Sequence, residues 1–243
     1  MAIMKEAIIL AGGEGTRMRP LTLETPKVLI PLEGKGQGKS LLEIQIDLLK
    51  KYGIKKVYLS LCYMADKIKK YVEERKNFGL TIEYLVEEPA MGTAGPLMML
   101  RNHPYALRED TLMINGDIIT NVNLREAFEA HKRNHAIATI VLTPVEDPSA
   151  YGAARLDAEK IVEFVEKPQR GTAPSNLINT GYYILSPDIK RYIPQKSFVM
   201  MEREVFPILA SEGKLFCYIH SGQWFDIGTF DRLKEAEKNW KGI

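Results

Sequence analysis

The chain has 243 residues, 45% of them hydrophobic, and 33 basic side chains against 31 acidic ones give a formal net charge of +2. That length and apolar share suit one large α/β domain or two small ones with a true core. A charge so nearly balanced gives no reason to expect a nucleic-acid or membrane surface. The two cysteines, Cys62 and Cys217, lack CxxC spacing, which argues against a zinc ribbon, a redox pair or a disulfide framework.

Residues 1–6 run straight toward a first strand, with no basic region ahead of an apolar signal core. No apolar run is long enough to span a bilayer. The expectation is a soluble, cytoplasmic protein.

The apolar run 7–10 reads as a buried strand. Directly behind it comes Ala11-Gly12-Gly13-Glu14-Gly15-Thr16-Arg17, then Arg19 and Lys27. Glycines let such a loop turn tightly and bring its N–H groups close to a ligand, and such N–H groups suit an anion. A glycine loop with cations just past a first strand is where α/β proteins hold phosphates. Two familiar phosphate motifs fail here. The dinucleotide pattern starting at Gly13 would need a third glycine where Met18 stands. A Walker A pattern ending in Gly38-Lys39-Ser40 would need a glycine where Glu33 stands. Residues 34–38 read instead as a flexible, solvated turn, with Ser40 capping a helix from Leu41.

Strands and helices then alternate. Residues 41–50 form an amphipathic helix stopped by Gly53, and 57–61 a strand. Residues 64–76 form a second helix, 82–86 a strand, 94–102 a helix and 111–115 a strand. Alternation of this kind predicts βαβ units and a mostly parallel twisted sheet flanked by helices. Two strand exits stand out. The segment Met91-Gly92-Thr93-Ala94 enters a helix from the expected ligand edge of the sheet. At Asn115-Gly116-Asp117 a carboxylate beside a glycine can reach a metal ion. Both also read as ordinary turn or cap chemistry. In the helix 124–135, His131 and His135 are four apart, but no general-base glutamate follows His131. These histidines read as facing solvent and the helix dipole.

The second half is β-rich. Strands are expected at 136–142, 151–156, 160–167 and 179–185, the middle two forming a hairpin about 157–159. A last amphipathic helix, 230–240, follows Thr229 as its cap. No linker or repeat divides the chain.

Residues 10–32 resemble the signature G-G-x-G-T-R-L-x-P-L-T…P-K-P-L-x-P of the sugar-1-phosphate nucleotidylyltransferases, also called nucleotide-sugar pyrophosphorylases. Met18 and Val28 replace the usual leucine and second proline. Further segments resemble that family's motifs in order: Gly92-Thr93-Ala94-Gly95, Gly116-Asp117, Tyr151-Gly152, Glu166-Lys167-Pro168, Asn179-Thr180-Gly181 and Trp224-Phe225-Asp226-Ile227-Gly228-Thr229. The resemblance implies one nucleotidyltransferase domain over 1–243, α/β and Rossmann-like. Its nucleotide-binding half would span about 1–135 and its sugar-binding half about 136–243. It implies a nucleotide site of Leu10, Ala11, Gly12, Gly13, Gly15, Thr16, Gly92, Thr93 and Gly116. Catalysis would fall to Arg17, Lys27 and Asp117, and sugar binding to Gly152, Glu166, Lys167 and Asn179. One Mg2+ would sit on Asp117 and Asp226. The substrates implied are a nucleoside triphosphate and a sugar 1-phosphate, with no nucleic-acid polymer and no membrane as partner. A homo-oligomer is left open. Within the family, residues 165–169, 183–187 and 204–208 look most like mannose-1-phosphate guanylyltransferases. Uridylyl- or thymidylyltransferases for glucose 1-phosphate or another sugar 1-phosphate stay open, as does a non-catalytic sensor of nucleotide sugars. The intact Arg17, Lys27, Asp117, Lys167 and Asp226 speak against a sensor.

Overall fold

The computed structural model describes residues 4–103 and 106–243; the first three residues of the expected run into the first strand lie outside it. The order is β1 (Glu6–Leu10), β2 (Pro31–Leu32), β3 (Lys39–Ser40), α1 (Leu41–Lys51), β4 (Lys56–Leu61), α2 (Ala65–Glu74) and β5 (Thr81–Val86). Then come α3 (Gly95–Leu100), β6 (Thr111–Asn115), β7 (Ile118–Thr120), α4 (Leu124–Arg133), β8 (Ala138–Pro144), β9 (Gly152–Asp157), β10 (Lys160–Glu166) and β11 (Leu177–Leu185). The order closes with α5 (Phe206–Ser211), β12 (Leu215–Ile219), β13 (Trp224–Asp226) and α6 (Phe230–Asn239). This is a mixed α/β fold of sheet strands and flanking helices.

Two compact units are discontinuous in sequence. The first comprises Met1–Pro89, Ile114–Val122 and Gly222–Ile243, and the second Ala90–Met113 and Asn123–Ser221.

In the first unit β1, β4 and β5 pair in parallel, with Ile8 opposite Tyr58 and Leu59 opposite Tyr84. Ala7, Ile8 and Ile9 are fully buried, as a continuous apolar run in a parallel sheet should be. α1 starts where Ser40 accepts from the Glu43 N–H (3.1 Å) and Glu43 accepts from the Ser40 N–H (2.8 Å). This reciprocal capping satisfies two N-terminal donors. An apolar cluster gathers Met18, Ile30, Leu32, Leu41, Ile44, Ile119, Ile227, Leu233 and Trp240. Met18, a signature residue, is thus a core side chain that pins the glycine loop. Residues 34–38 form a largely exposed turn, as expected. They join β2 to β3 as a hairpin, with Gly36 buried against Leu32, because the pairing of Leu32 with Lys39 fixes both ends.

In the second unit the strand order is β11-β8-β12-β10-β9, and an Ile178–Ala153 bridge joins β11 to β9. β8 and β12 are parallel, whereas β11–β8 and β10–β9 are antiparallel. Phe206 of α5 packs edge-on to Phe164 and against Tyr183. A π-helical turn, Met201–Val205, leads into α5. This turn, α5 and β12 lie in a stretch for which the sequence pattern gave no elements.

His131 corrects the expectation of a solvent-facing residue. It is 2% exposed, and its Nδ1 lies 2.8 Å from Thr139 Oγ1. Leu124, Ala127 and His131 share one face of α4, and that face is buried.

Candidate functional site

The first unit brings together the glycine loop, three cationic side chains and two carboxylates. Leu10 ends β1, and the Ala11 N–H donates to Ser60 O (2.8 Å), so the glycine loop leaves the sheet beside the end of β4. A Cβ on Gly12 would stand 2.9 Å from the Cys62 backbone nitrogen, whereas nothing lies within 4 Å of one on Gly13. Gly15 has φ +62°, and its carbonyl accepts from the Thr22 hydroxyl (2.8 Å). Thr16 opens the short 3-10 turn that carries Arg17 and Met18.

β7 and β13 form a two-stranded antiparallel ribbon with Asp226 opposite Ile118. The Ile227 N–H also donates to Asp117 O (2.9 Å). This ribbon brings Asp117 and Asp226 together from positions far apart in sequence. Lys27, 8% exposed, donates to Asp117 Oδ2 at 2.5 Å. Arg232 of α6 donates to Asp226 Oδ2. Burial pushes the Asp226 carboxyl up, Asp117 pushes it further, and Arg232, Lys27 and Arg17 oppose both. The turn before Asp117 is held by Gly116 N–H to Leu10 O (2.9 Å). Gln45 of α1 clamps the same turn, donating to Asn115 O (2.8 Å) and Ile118 O (2.7 Å).

This donor set fits a hard divalent cation. Each carboxylate gives its Oδ2 to a cationic side chain and has a second oxygen. Asp226 Oδ1 and the Arg17 guanidinium each come within 3.0 Å of where a Gly228 Cβ would stand, so a side chain there would crowd both. Among the described residues no group of three or more His, Cys, Asp or Glu side chains could form an all-protein cage. Two carboxylates completed by phosphate and water are what magnesium-like ions accept.

The second unit gathers different chemistry. Gly152 pairs with Glu166 across β9 and β10. Burial pushes the Glu166 carboxyl up and Glu202 adds to it, against Lys167 and Arg203. Lys167 is exposed, and its Nζ lies 3.9 Å from Glu166 Oε1. Asn179 donates to the Tyr183 hydroxyl (2.8 Å) and accepts from the Gly181 N–H (2.8 Å). Gly92 and Thr93 also belong to this unit, where Thr93 donates to Glu202 Oε2 at 2.6 Å.

The sequence reading missed Gln45, Arg232, Tyr183 and Glu202. Gln45 had a signal: it is a polar residue on the face of α1 that Leu41, Leu48 and Leu49 bury. The other three gave none, since their roles arise only from pairing across the fold.

The chain belongs to the nucleotidyl transferase family, whose model matches residues 6–241. That family generally uses a divalent metal. Mannose-1-phosphate guanyltransferase beta-B of Xenopus laevis is 39% identical, covering 92% of this chain and 61% of that protein. Mannose-1-phosphate guanylyltransferase of Mycobacterium tuberculosis is 36% identical over 92% of this chain and 61% of its own length. The chain thus spans about three-fifths of the length of these relatives. The crystal structure of HddC from Yersinia pseudotuberculosis complexed with GMP-PN is 26% identical. It superposes with a TM-score of 0.79 over 98% of this chain and 100% of that one. No described helix is long and apolar enough to cross a membrane.

Proposed function

We propose that the chain joins a nucleoside triphosphate to a sugar 1-phosphate, most specifically GTP to mannose 1-phosphate, giving GDP-mannose and pyrophosphate. A phosphate oxygen of the sugar 1-phosphate attacks the α-phosphorus. The bond from that phosphorus to the oxygen bridging the α- and β-phosphates breaks, and pyrophosphate leaves with the bond pair. The nucleophile is already anionic, so no general base is needed. Charge neutralisation and alignment then dominate the rate.

One observation carries the reading: Asp117 and Asp226 stand together among Lys27, Arg17 and Arg232. Arg17 meets the leaving pyrophosphate, and Lys27 the α-phosphate. The backbone of Leu10, Ala11, Gly12, Gly13, Gly15 and Thr16, with Gly92, Thr93 and Gly116, binds the nucleotide. Gly152, Glu166 and Asn179 bind the sugar and Lys167 its phosphate. Asp117 and Asp226 would hold Mg2+, which supplies phosphate neutralisation when bound. The choice of mannose and guanine rests on the names of the relatives and on the guanine nucleotide bound by HddC. The free thiols of Cys62 and Cys217 support a cytoplasmic setting.

The test is a panel of nucleoside triphosphates against sugar 1-phosphates, read as magnesium-dependent pyrophosphate release. GTP with mannose 1-phosphate should give the highest kcat/KM. A higher value for UTP or dTTP with glucose 1-phosphate would replace the substrates but keep the class. No release from any pair would sink both.

A further inference from the structure

Residues 91–94 and 199–202 of the second unit are joined as closely as paired strands. The Val199 N–H donates to Met91 O (2.9 Å), and the Ala94 N–H donates to Val199 O (3.0 Å). A Cβ on Gly92 would stand 2.4 Å from Val199 O, so only glycine permits this approach. Thr93 completes the join in both directions. Its Oγ1 accepts from the Met201 N–H (2.8 Å) and donates to Glu202 Oε2 (2.6 Å).

Glu202 is 6% exposed, and the same carboxylate reaches the opposite way. Its Oε1 accepts from the Tyr183 hydroxyl at 3.4 Å. That hydroxyl accepts from the Asn179 side-chain amide at 2.8 Å. Burial keeps the Tyr183 phenol protonated, so it remains a donor to Glu202. Glu202 also lies close enough to Glu166 to disfavour its charge. A chain of polar contacts therefore runs from Thr93 through Glu202 and Tyr183 to Asn179, with Glu166 beside it. A buried carboxylate with two hydroxyl donors has a fixed orientation, and loss of one donor loosens what the other holds.

We propose that Glu202 is a positioning residue that couples the Gly92–Thr93 loop to the Asn179–Glu166 pair, so that a sugar 1-phosphate on that pair orders the loop used by the nucleotide. The inference rests on the proposed function for the two sides it connects, but the join itself does not. Hydroxyl groups of the sugar that bond Asn179 and Glu166 would stiffen the Tyr183–Glu202 contact. Thr93 passes that constraint to the loop, and the triphosphate then binds a loop already ordered.

The experiment uses T93V, T93S, E202Q and the T93V/E202Q double variant in the full chain. Kinetics are read as pyrophosphate release and backbone dynamics as amide hydrogen exchange. T93V and E202Q should each lower kcat and raise the KM for the triphosphate, by about tenfold in kcat/KM, the size of a lost charge-assisted hydrogen bond. The double variant should be no worse than about twice the poorer single one, because the two act as one link. T93S keeps the hydroxyl and should recover most of the kcat/KM that T93V loses. Fully multiplying effects in the double variant, or a T93S as poor as T93V, would overturn the proposal. Should the wild type turn over no substrate pair, the reading of the function fails, and hydrogen exchange still judges the link. Amides of residues 91–95 should exchange about tenfold faster in both T93V and E202Q. Unchanged rates would remove the link.

Discussion

Each unit holds a pair of carboxylates, and the two pairs are treated differently. Asp117 and Asp226 receive cationic donors, Lys27 and Arg232, with Arg17 close by. Glu202 receives neutral hydroxyls from Thr93 and Tyr183, and Glu166 has Lys167 only at 3.9 Å. A cation-rich acid pair can exchange partners with a metal ion and phosphates, since charge is conserved on both sides of the exchange. Glu202 is held by hydroxyl donors of the protein itself, and Glu166 receives neither of them. Under the proposed function, this contrast divides polyanion handling from sugar recognition.

The largest effect should come from the first pair. Asp117→Asn or Asp226→Asn should cut turnover by at least about 10²-fold with the fold intact. Circular dichroism and pyrophosphate release together check this. The double variant should lose far less than the product of the two single losses, as residues acting as a unit do. Independent, multiplying losses would mean the carboxylates do not share an ion.

Gly12 and Gly13 sharpen the same side. Gly12→Ala must displace the Cys62 backbone and should cost about 1–3 kcal/mol of stability in denaturant unfolding. Gly13→Ala meets no protein atom, so it should leave stability alone and raise the KM for the triphosphate about tenfold. A stable, fully active Gly13→Ala would move the phosphate chain elsewhere.

On the sugar side, Lys167→Ala should raise the KM for sugar 1-phosphate by about tenfold and that for the triphosphate much less. Equal effects would break the division of labour.

The smallest effect is a pH signature. Glu202 of the π-helical turn faces Glu166 unfavourably, and Arg203 of that turn and the adjacent Lys167 favourably; Tyr183 of β11 is also in range. The folded carboxyl titrates above its unfolded value. Stability from this group is therefore full below the unfolded pKa and is lost as pH rises through the folded one. At neutral pH the wild type carries that cost, so Glu166→Gln should raise Tm at pH 7. The difference should vanish below about pH 4, where the carboxyl is protonated in both states. An equal gain at both pH values would refute the electrostatic origin.

Much of this was legible in the chain. The apolar run before Gly12 fixes β1, and Ser40 ahead of an amphipathic run announces the start of α1. The hairpin about Ala158 and the Thr229 cap of α6 also lie where the pattern puts them. Alternation and capping are local, so a sequence displays them. The turn Met201–Val205 was not legible, because a π-helical turn obeys no common period. His131 misled because its polar type outweighed its position on the apolar face. Arg232 and Glu202 gave no sign, because a partner brought by a separate strand or turn leaves no trace in spacing.

The discontinuity of the first unit has a consequence for biosynthesis. Synthesis makes the first unit's segments 4–89 and 114–122 before the second unit is complete, and its segment 222–243 only afterwards. The second unit can therefore fold while the first still lacks β13 and α6. Asp117 meanwhile has Lys27 available within the nascent segment, but Asp226 and Arg232 arrive together and late. Asp117 is therefore made before the second unit is complete and Asp226 after it, so their pairing waits for β13.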